Sequence, residues 1–147
     1  MENTEVELLI VEDNMNDAEL TIRVLQKNKI ANNITHLKDG ASAIDFLFGE
    51  GEFAGRDTNF KPKVIILDLK MPKVDGLEVL TKIKADELTK KIPVVVLTSS
   101  KESPDIEKAY ALGANSYIVK PVEFEGFSKA IAEVGLYWVI INQSPVQ

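Results

Sequence analysis

Val64-Ile65-Ile66-Leu67-Asp68-Leu69-Lys70-Met71-Pro72 is the stretch that decides the fold. An unbroken apolar run of this length reads as a strand buried on both faces, so an acid at its end must be solvated, paired or bound to a cation. The same grammar recurs near the N-terminus, where Val6-Glu7-Leu8-Leu9-Ile10-Val11 runs straight into Glu12-Asp13. In an open sheet of parallel strands both segments deliver their acids to one edge, the carboxyl ends of the strands, where such folds bind ligands.

Working outward, strand-like runs at Ile92 to Leu97 and Ser116 to Val119, and a weaker one at Asn33 to Leu37, alternate with helix-like stretches. That alternation is the signature of a βα repeat and a parallel sheet. Ala18, Ile22 and Leu25 share a face of the first helix, and Asp39-Gly40 opens a short second one carrying Ile44, Leu47 and Phe48. Asp75 and Glu78 form a capping-box pair, with Leu77, Leu80 and Ile83 as the buried stripe behind it. Ser103-Pro104 supplies an N-cap and N1 pair for the fourth helix. Phe124, Phe127, Ile131, Val134, Trp138 and Ile141 recur three and four apart along the last helix. Gly49 to Pro62 reads as a long loop. Five βα units use nearly the whole chain, so residues 1–147 are read as one domain with a core of about 6–134 and a C-terminal helix extension and tail at 135–147.

Composition bounds the function. A chain of 147 residues, 45% hydrophobic and 27% charged, can build one ordinary globular core. It has no cysteine, so disulfides, thiolate metal sites and thiol nucleophiles are out. The N-terminus lacks the pattern of a signal peptide and no apolar run reaches the ~20 residues of a membrane span, which points to a cytoplasmic protein without a membrane partner. A net charge of -6 argues against nucleic acid as a partner, and the local cluster Lys82, Lys84, Lys90 and Lys91 reads as a solvated helix face.

Glu12, Asp13 and Asp68 would form a cluster of like charges that favours protonation or a bound cation, and few hard oxygen ligands open to water suit Mg²⁺. Thr98 closes Val94-Val95-Val96-Leu97 and Lys120 closes Tyr117-Ile118-Val119, setting a hydroxyl and an ammonium opposite the acids. A carboxylate nucleophile, a divalent cation, a hydrogen-bond donor and a fixed cation are what an aspartyl-phosphate site requires. Taken singly each residue has a plainer reading: Asp68 as a helix cap, Thr98 as a strand-end hydroxyl, Lys120 as a surface lysine, Tyr117 as a half-buried strand aromatic. His36, the only histidine, has no partner at metal-site spacing and is read as structural.

Taken together and in order, Glu12-Asp13, Asp68-Leu69-Lys70-Met71-Pro72-Lys73-Val74-Asp75-Gly76, Thr98 and Lys120-Pro121 resemble the receiver domain of two-component response regulators. The resemblance implies a flavodoxin-like, doubly wound five-stranded parallel sheet of order 2-1-3-4-5, the (βα)5 receiver fold. It implies that Asp68 accepts a phosphoryl group from a histidine kinase or phosphotransfer protein. It further implies that Asp13, Asp68 and the backbone carbonyl of Lys70 ligate Mg²⁺, with Glu12 acting through water. Thr98 and Lys120 would contact the phosphoryl group, Tyr117 would reorient with the threonine, and Lys120-Pro121 would be a cis peptide. Within the family, the single-domain regulators paired with bacterial phytochromes are the most similar, through the long loop before the third strand and the aromatic Leu136-Tyr137-Trp138-Val139-Ile140. Glu12 where aspartate is commoner, Ser99 where alanine is, and Val122 where phenylalanine is depart from the family pattern. Lys70 and Ser100 occupy the positions that tune attack of water on the phosphoaspartate.

The expected function is a stand-alone phosphorylation switch, not an enzyme beyond its own phosphoryl transfer and autodephosphorylation. It would signal to a protein partner through the face formed by the fourth helix, fifth strand and fifth helix. A phosphatase of the haloacid dehalogenase type would need an aspartate where Lys70 stands. A phosphate-independent adaptor would show a lost acid, threonine or lysine, and none is lost. The apolar run Leu136 to Ile141 would form a patch for a homodimer or another partner.

Overall fold

The computed structural model describes residues 7–143 apart from 32, 73 and 122. Val6, the Met1 to Glu5 segment, Lys73, Val122 and the tail from residue 144, on which parts of the sequence reading fall, lie outside the described residues.

Five strands, β1 (Leu8–Val11), β2 (Ile34–Leu37), β3 (Val64–Leu67), β4 (Val94–Thr98) and β5 (Ser116–Val119), pair in parallel in the order β2-β1-β3-β4-β5. The helices are α1 (Met15–Lys27), α2 (Gly40–Phe48), α3 (Gly76–Ala85), α4 (Ser103–Ala111) and α5 (Phe124–Gly135). The parallel sheet read from the apolar runs and the doubly wound order implied by the resemblance are therefore both correct. The physical reason is visible in β1 and β3, where every residue is buried and neighbours point to opposite faces. Leu9, Val11, Ile65 and Leu67 pack with α2 and α3, while Leu8, Ile10, Val64 and Ile66 pack with α1 and α5.

Helix starts follow local chemistry. The Asn14, Asp39 and Asp75 side chains accept from the N–H groups of Asp17, Ser42 and Glu78, capping α1, α2 and α3. α4 differs from expectation. It begins at Ser103 itself, with Glu102 in the cap position and no side-chain cap bond; the Ser100 hydroxyl lies 3.4 Å from the Glu102 N–H.

The C-terminus differs as well. After Gly135 the α-helix widens into a π-helical stretch, Leu136–Ile141, closed by the Asn142 N–H donating to the Tyr137 carbonyl. The wider turn slips the apolar stripe beyond Gly135, so Val139 enters the core while Ile141 stands 56% exposed; at the other end of α5, Phe124 is 67% exposed. Phe127 and Ile131 remain buried as expected. Gly135 is where the last helix crosses the α1–β2 corner, since a Cβ there would meet Leu25 Cδ2 at 2.4 Å.

The loop between α2 and β3 is pinned by Arg56, whose guanidinium lies 3.9 Å from the Phe46 ring centroid and donates to the Phe46 and Phe60 carbonyls. Lys84, expected on a solvated face, is instead folded inward and donates to the carbonyls of Lys90 and Ile92 and to Asn115 Oδ1. Among the described residues no peptide bond is cis, so Lys120-Pro121 is trans here and the cis expectation is not met.

Candidate functional site

Strand register assembles the site. Val11 pairs with Leu67, which sets Glu12 level with Asp68 at the carboxyl ends of adjacent strands. Thr98 pairs with Val119, placing Lys120 one residue beyond the threonine. The order β2-β1-β3 makes this the point where the chain switches from one side of β1 to the other, the place where sheets of this kind bind ligands.

Glu12, Asp13 and Asp68 each offer a carboxylate oxygen within 4.8 Å of the others. Glu12 and Asp68 are buried, whereas Asp13 is exposed. The Lys120 ammonium stands 2.7 Å from Glu12 Oε1, 2.8 Å from Asp17 Oδ2 and 3.6 Å from Asp68 Oδ2. The Lys70 N–H lies 3.3 Å from Asp68 Oδ1, and the Thr98 side chain is fully buried behind the acids. Lys120, for which a surface lysine is the plainer reading when taken alone, is thus the cation at the centre of the cluster.

Charge is unevenly compensated. Burial, reinforced by the Asp68 charge and opposed by Lys120, pushes the Glu12 carboxyl up to about 7. Burial works against the Lys120 charge too, but hydrogen bonds to Asp17 and Glu12 outweigh it and hold this ammonium above the usual lysine range. Four carboxylates, Glu12, Asp13, Asp17 and Asp68, gather around the single ammonium of Lys120, which leaves a surplus of negative charge. The donors are hard oxygens with one member open to solvent, so the residues present fit a small divalent cation.

Asp17 went unnoticed in the sequence. It sits in the first turn of α1, three residues after the Asn14 cap, and an acid at that position of a helix start was the available signal. His36 is structural as expected: its Nε2 is 2.8 Å from the Glu12 carbonyl oxygen. Tyr117 is half-buried and its hydroxyl donates to the Ser100 carbonyl at 2.8 Å. Gly76 allows the close return of the chain under the site, because a Cβ there would come within 2.2 Å of the Asp68 carbonyl oxygen. The hydroxyl of Ser100 donates to Asp105 Oδ2, which also pairs with the Lys70 ammonium at 3.2 Å. Neither contact was foreseen.

With that geometry in place, known proteins supply a family. The family described as response regulator receiver domain matches residues 8–132. A probable methanogenesis regulatory protein, FilR2, from Methanothrix harundinacea is 42% identical over 139 residues, spanning 94% of this chain and 86% of that protein. Response regulator Rcp1 from Synechocystis is 36% identical over 132 residues, 90% of this chain and 88% of its own length. Its Mn²⁺-bound crystal structure superposes with a TM-score of 0.87, covering 94% of this chain and 97% of that one. The phosphorylated cyanobacterial phytochrome response regulator RcpA, 34% identical, superposes with a TM-score of 0.89 over 96% of this chain and 99% of its own.

Proposed function

From the premise that the chain belongs to the response regulator receiver domain family, we propose that it is a cytoplasmic phosphorylation switch whose phosphoacceptor is Asp68. The observation that carries the reading is the convergence of Glu12, Asp13, Asp68 and Lys120 at one crevice of the sheet. A carboxylate oxygen of Asp68 attacks the phosphorus of a histidine kinase's or phosphotransfer protein's phosphohistidine. The P–N bond breaks, and its electron pair leaves with the imidazole. Lys120 offsets charge on the equatorial oxygens. Mg²⁺, held by Asp13, Asp68, the Lys70 carbonyl and, through water, Glu12, would supply further charge neutralisation. Names of relatives that include "phytochrome" make a phytochrome-type kinase the first partner to try.

Once Asp68 is a phosphoryl dianion, Thr98 is drawn toward it as a hydrogen-bond donor, and Tyr117 follows into the space vacated. The face made by α4, β5 and α5 then changes, and a downstream protein partner reads it. A second copy of the chain is the partner proposed for the C-terminal π-helical stretch, where Leu136, Tyr137, Ile140 and Ile141 are all exposed.

The test is incubation with a small phosphodonor, with and without Mg²⁺, read by intact mass. One phosphoryl increment that requires Mg²⁺ and is absent from Asp68→Asn supports the reading. Undiminished labelling of that variant would place the chemistry elsewhere.

A further inference from the structure

We propose that Asp105, in the first turn of α4, is a positioning residue that acts through Lys70 and Ser100 as a latch, closed at rest and opened when Asp68 carries a phosphoryl group. This rests on the phosphoacceptor reading and adds to it a residue and a route of coupling.

The latch is a continuous set of contacts. Lys70 follows Asp68 by two residues, and its own N–H faces the Asp68 carboxylate at 3.3 Å. Its side chain leads away from that carboxylate to Asp105 Oδ2, 3.2 Å from the ammonium. The same oxygen accepts from the Ser100 hydroxyl. Ser100 in turn is tied by its carbonyl to the Tyr117 hydroxyl at 2.8 Å. One carboxylate therefore joins the loop after β3, the loop after β4, the start of α4 and the aromatic of β5.

Two features make this a latch and not ordinary surface pairing. First, α4 lacks a side-chain cap, so its first turn is tied to the neighbouring loops through Asp105, with only a long contact of 3.4 Å between the Glu102 N–H and the Ser100 hydroxyl beside it. Second, the Lys70 side chain is 61% exposed and long enough to change partners, whereas Asp105 is only 19% exposed and fixed on its helix. A phosphoryl dianion on Asp68 offers Lys70 a more highly charged, multidentate acceptor than a lone carboxylate. When Lys70 turns to it, Asp105 loses its cation and keeps only the Ser100 hydroxyl, so α4 is released from the loop after β3, and the Ser100 loop that holds the Tyr117 hydroxyl is freer to move. Linkage makes the relation reciprocal: whatever opens the latch favours phosphoryl occupancy by the same factor.

Hydrogen exchange of peptides spanning residues 99–112, read by mass spectrometry with and without phosphoramidate and Mg²⁺, tests this. At rest, Asp105→Asn should exchange up to about fivefold faster than wild type in this segment, the upper range for releasing a partly exposed pair. Phosphorylation should add several-fold to wild type and little to the variant, while phosphoryl occupancy at limiting phosphodonor should be higher in the variant. The exchanged pair Lys70→Glu/Asp105→Lys should restore slow exchange at rest, which neither single change should do. Resting exchange of Asp105→Asn equal to wild type, an equal phosphorylation effect in both, or an exchanged pair no slower than its singles would each overturn the latch. A wild-type chain that takes up no phosphoryl mass would be recognised separately, since it overturns the phosphoacceptor reading on which the latch depends.

Discussion

Replacing Glu12 by glutamine isolates the electrostatic strain of the crevice. The side chain is buried and its carboxyl is raised from 4.5 to about 7, chiefly by burial, with the Asp68 charge adding to it. A folded-state value above the unfolded one means that the native protein holds the proton more tightly. The stabilisation is therefore fully present below about pH 4.5 and is lost as pH rises through about 7. Between about pH 5 and pH 8 the wild type should lose about 2.5 kcal/mol from this group alone, taking ~1.4 kcal/mol per pH unit over the window in which the two states differ. Glutamine cannot titrate, so its stability profile lacks this component.

The measurement is urea unfolding of both proteins in a chelating buffer at the two pH values, followed by the fluorescence of Trp138, the only tryptophan. Groups remote from Glu12 titrate alike in both proteins and cancel in the difference. The wild type should lose ground to the variant by about 2.5 kcal/mol on going to the higher pH, and saturating Mg²⁺ should shrink that change by favouring the ionised carboxyl. A difference constant to within about 0.5 kcal/mol, or one of opposite sign, would refute the account of Glu12 as a carboxyl raised by burial and like charge.

Gly76→Ala would press a methyl group into the Asp68 carbonyl; it should cost about 1–3 kcal/mol in urea unfolding and reduce phosphoryl uptake, and an unchanged midpoint would show that the loop has slack. Ile131→Ala, at a fully buried position between α5 and the sheet, should cost about 2–5 kcal/mol, with a loss under about 1 kcal/mol meaning that α5 packs loosely. Lys84→Met deprives the Lys90 and Ile92 carbonyls of their donor; a loss of about 1–3 kcal/mol is expected, and none if water serves equally well. Tyr137→Ser/Ile140→Ser changes two exposed residues of the π-helical stretch while leaving Val139 in the core; sedimentation should show a wild-type dimer that the variant weakens. Monomers throughout, at tens of micromolar and with or without phosphodonor, would remove the second copy as occupant.

Local sequence carried the fold a long way. The apolar runs ending at Val11, Leu67 and Leu97 demanded strands covered on both sides, and Asp39 and Asp75 announced helix starts that the structure contains. These signals are legible because they depend on neighbours within a few residues, through burial period and capping. The same dependence explains the misses. Ser103 has the right chemistry for a cap, but the Ser100 hydroxyl reaches Asp105 in the first turn of α4, and the helix starts one residue earlier than a Ser103 cap would set it. The stripe of the last helix is regular on paper, yet beyond Gly135 the crossing over Leu25 coincides with a wider turn that exchanges Val139 for Ile141.

By itself the sequence determined the five strands and five α-helices, that the sheet is parallel, and which acids, hydroxyl and ammonium stand at strand ends. Only the tertiary structure decided how those groups share charge. Lys120 lies nearer to Glu12 and Asp17 than to Asp68, and Lys70 turns its ammonium to Asp105 on a helix that begins 33 residues later in the chain. Such pairings are fixed by strand register and helix position over long separations, and Coulomb energy depends on the ångströms that packing sets, not on spacing along the chain.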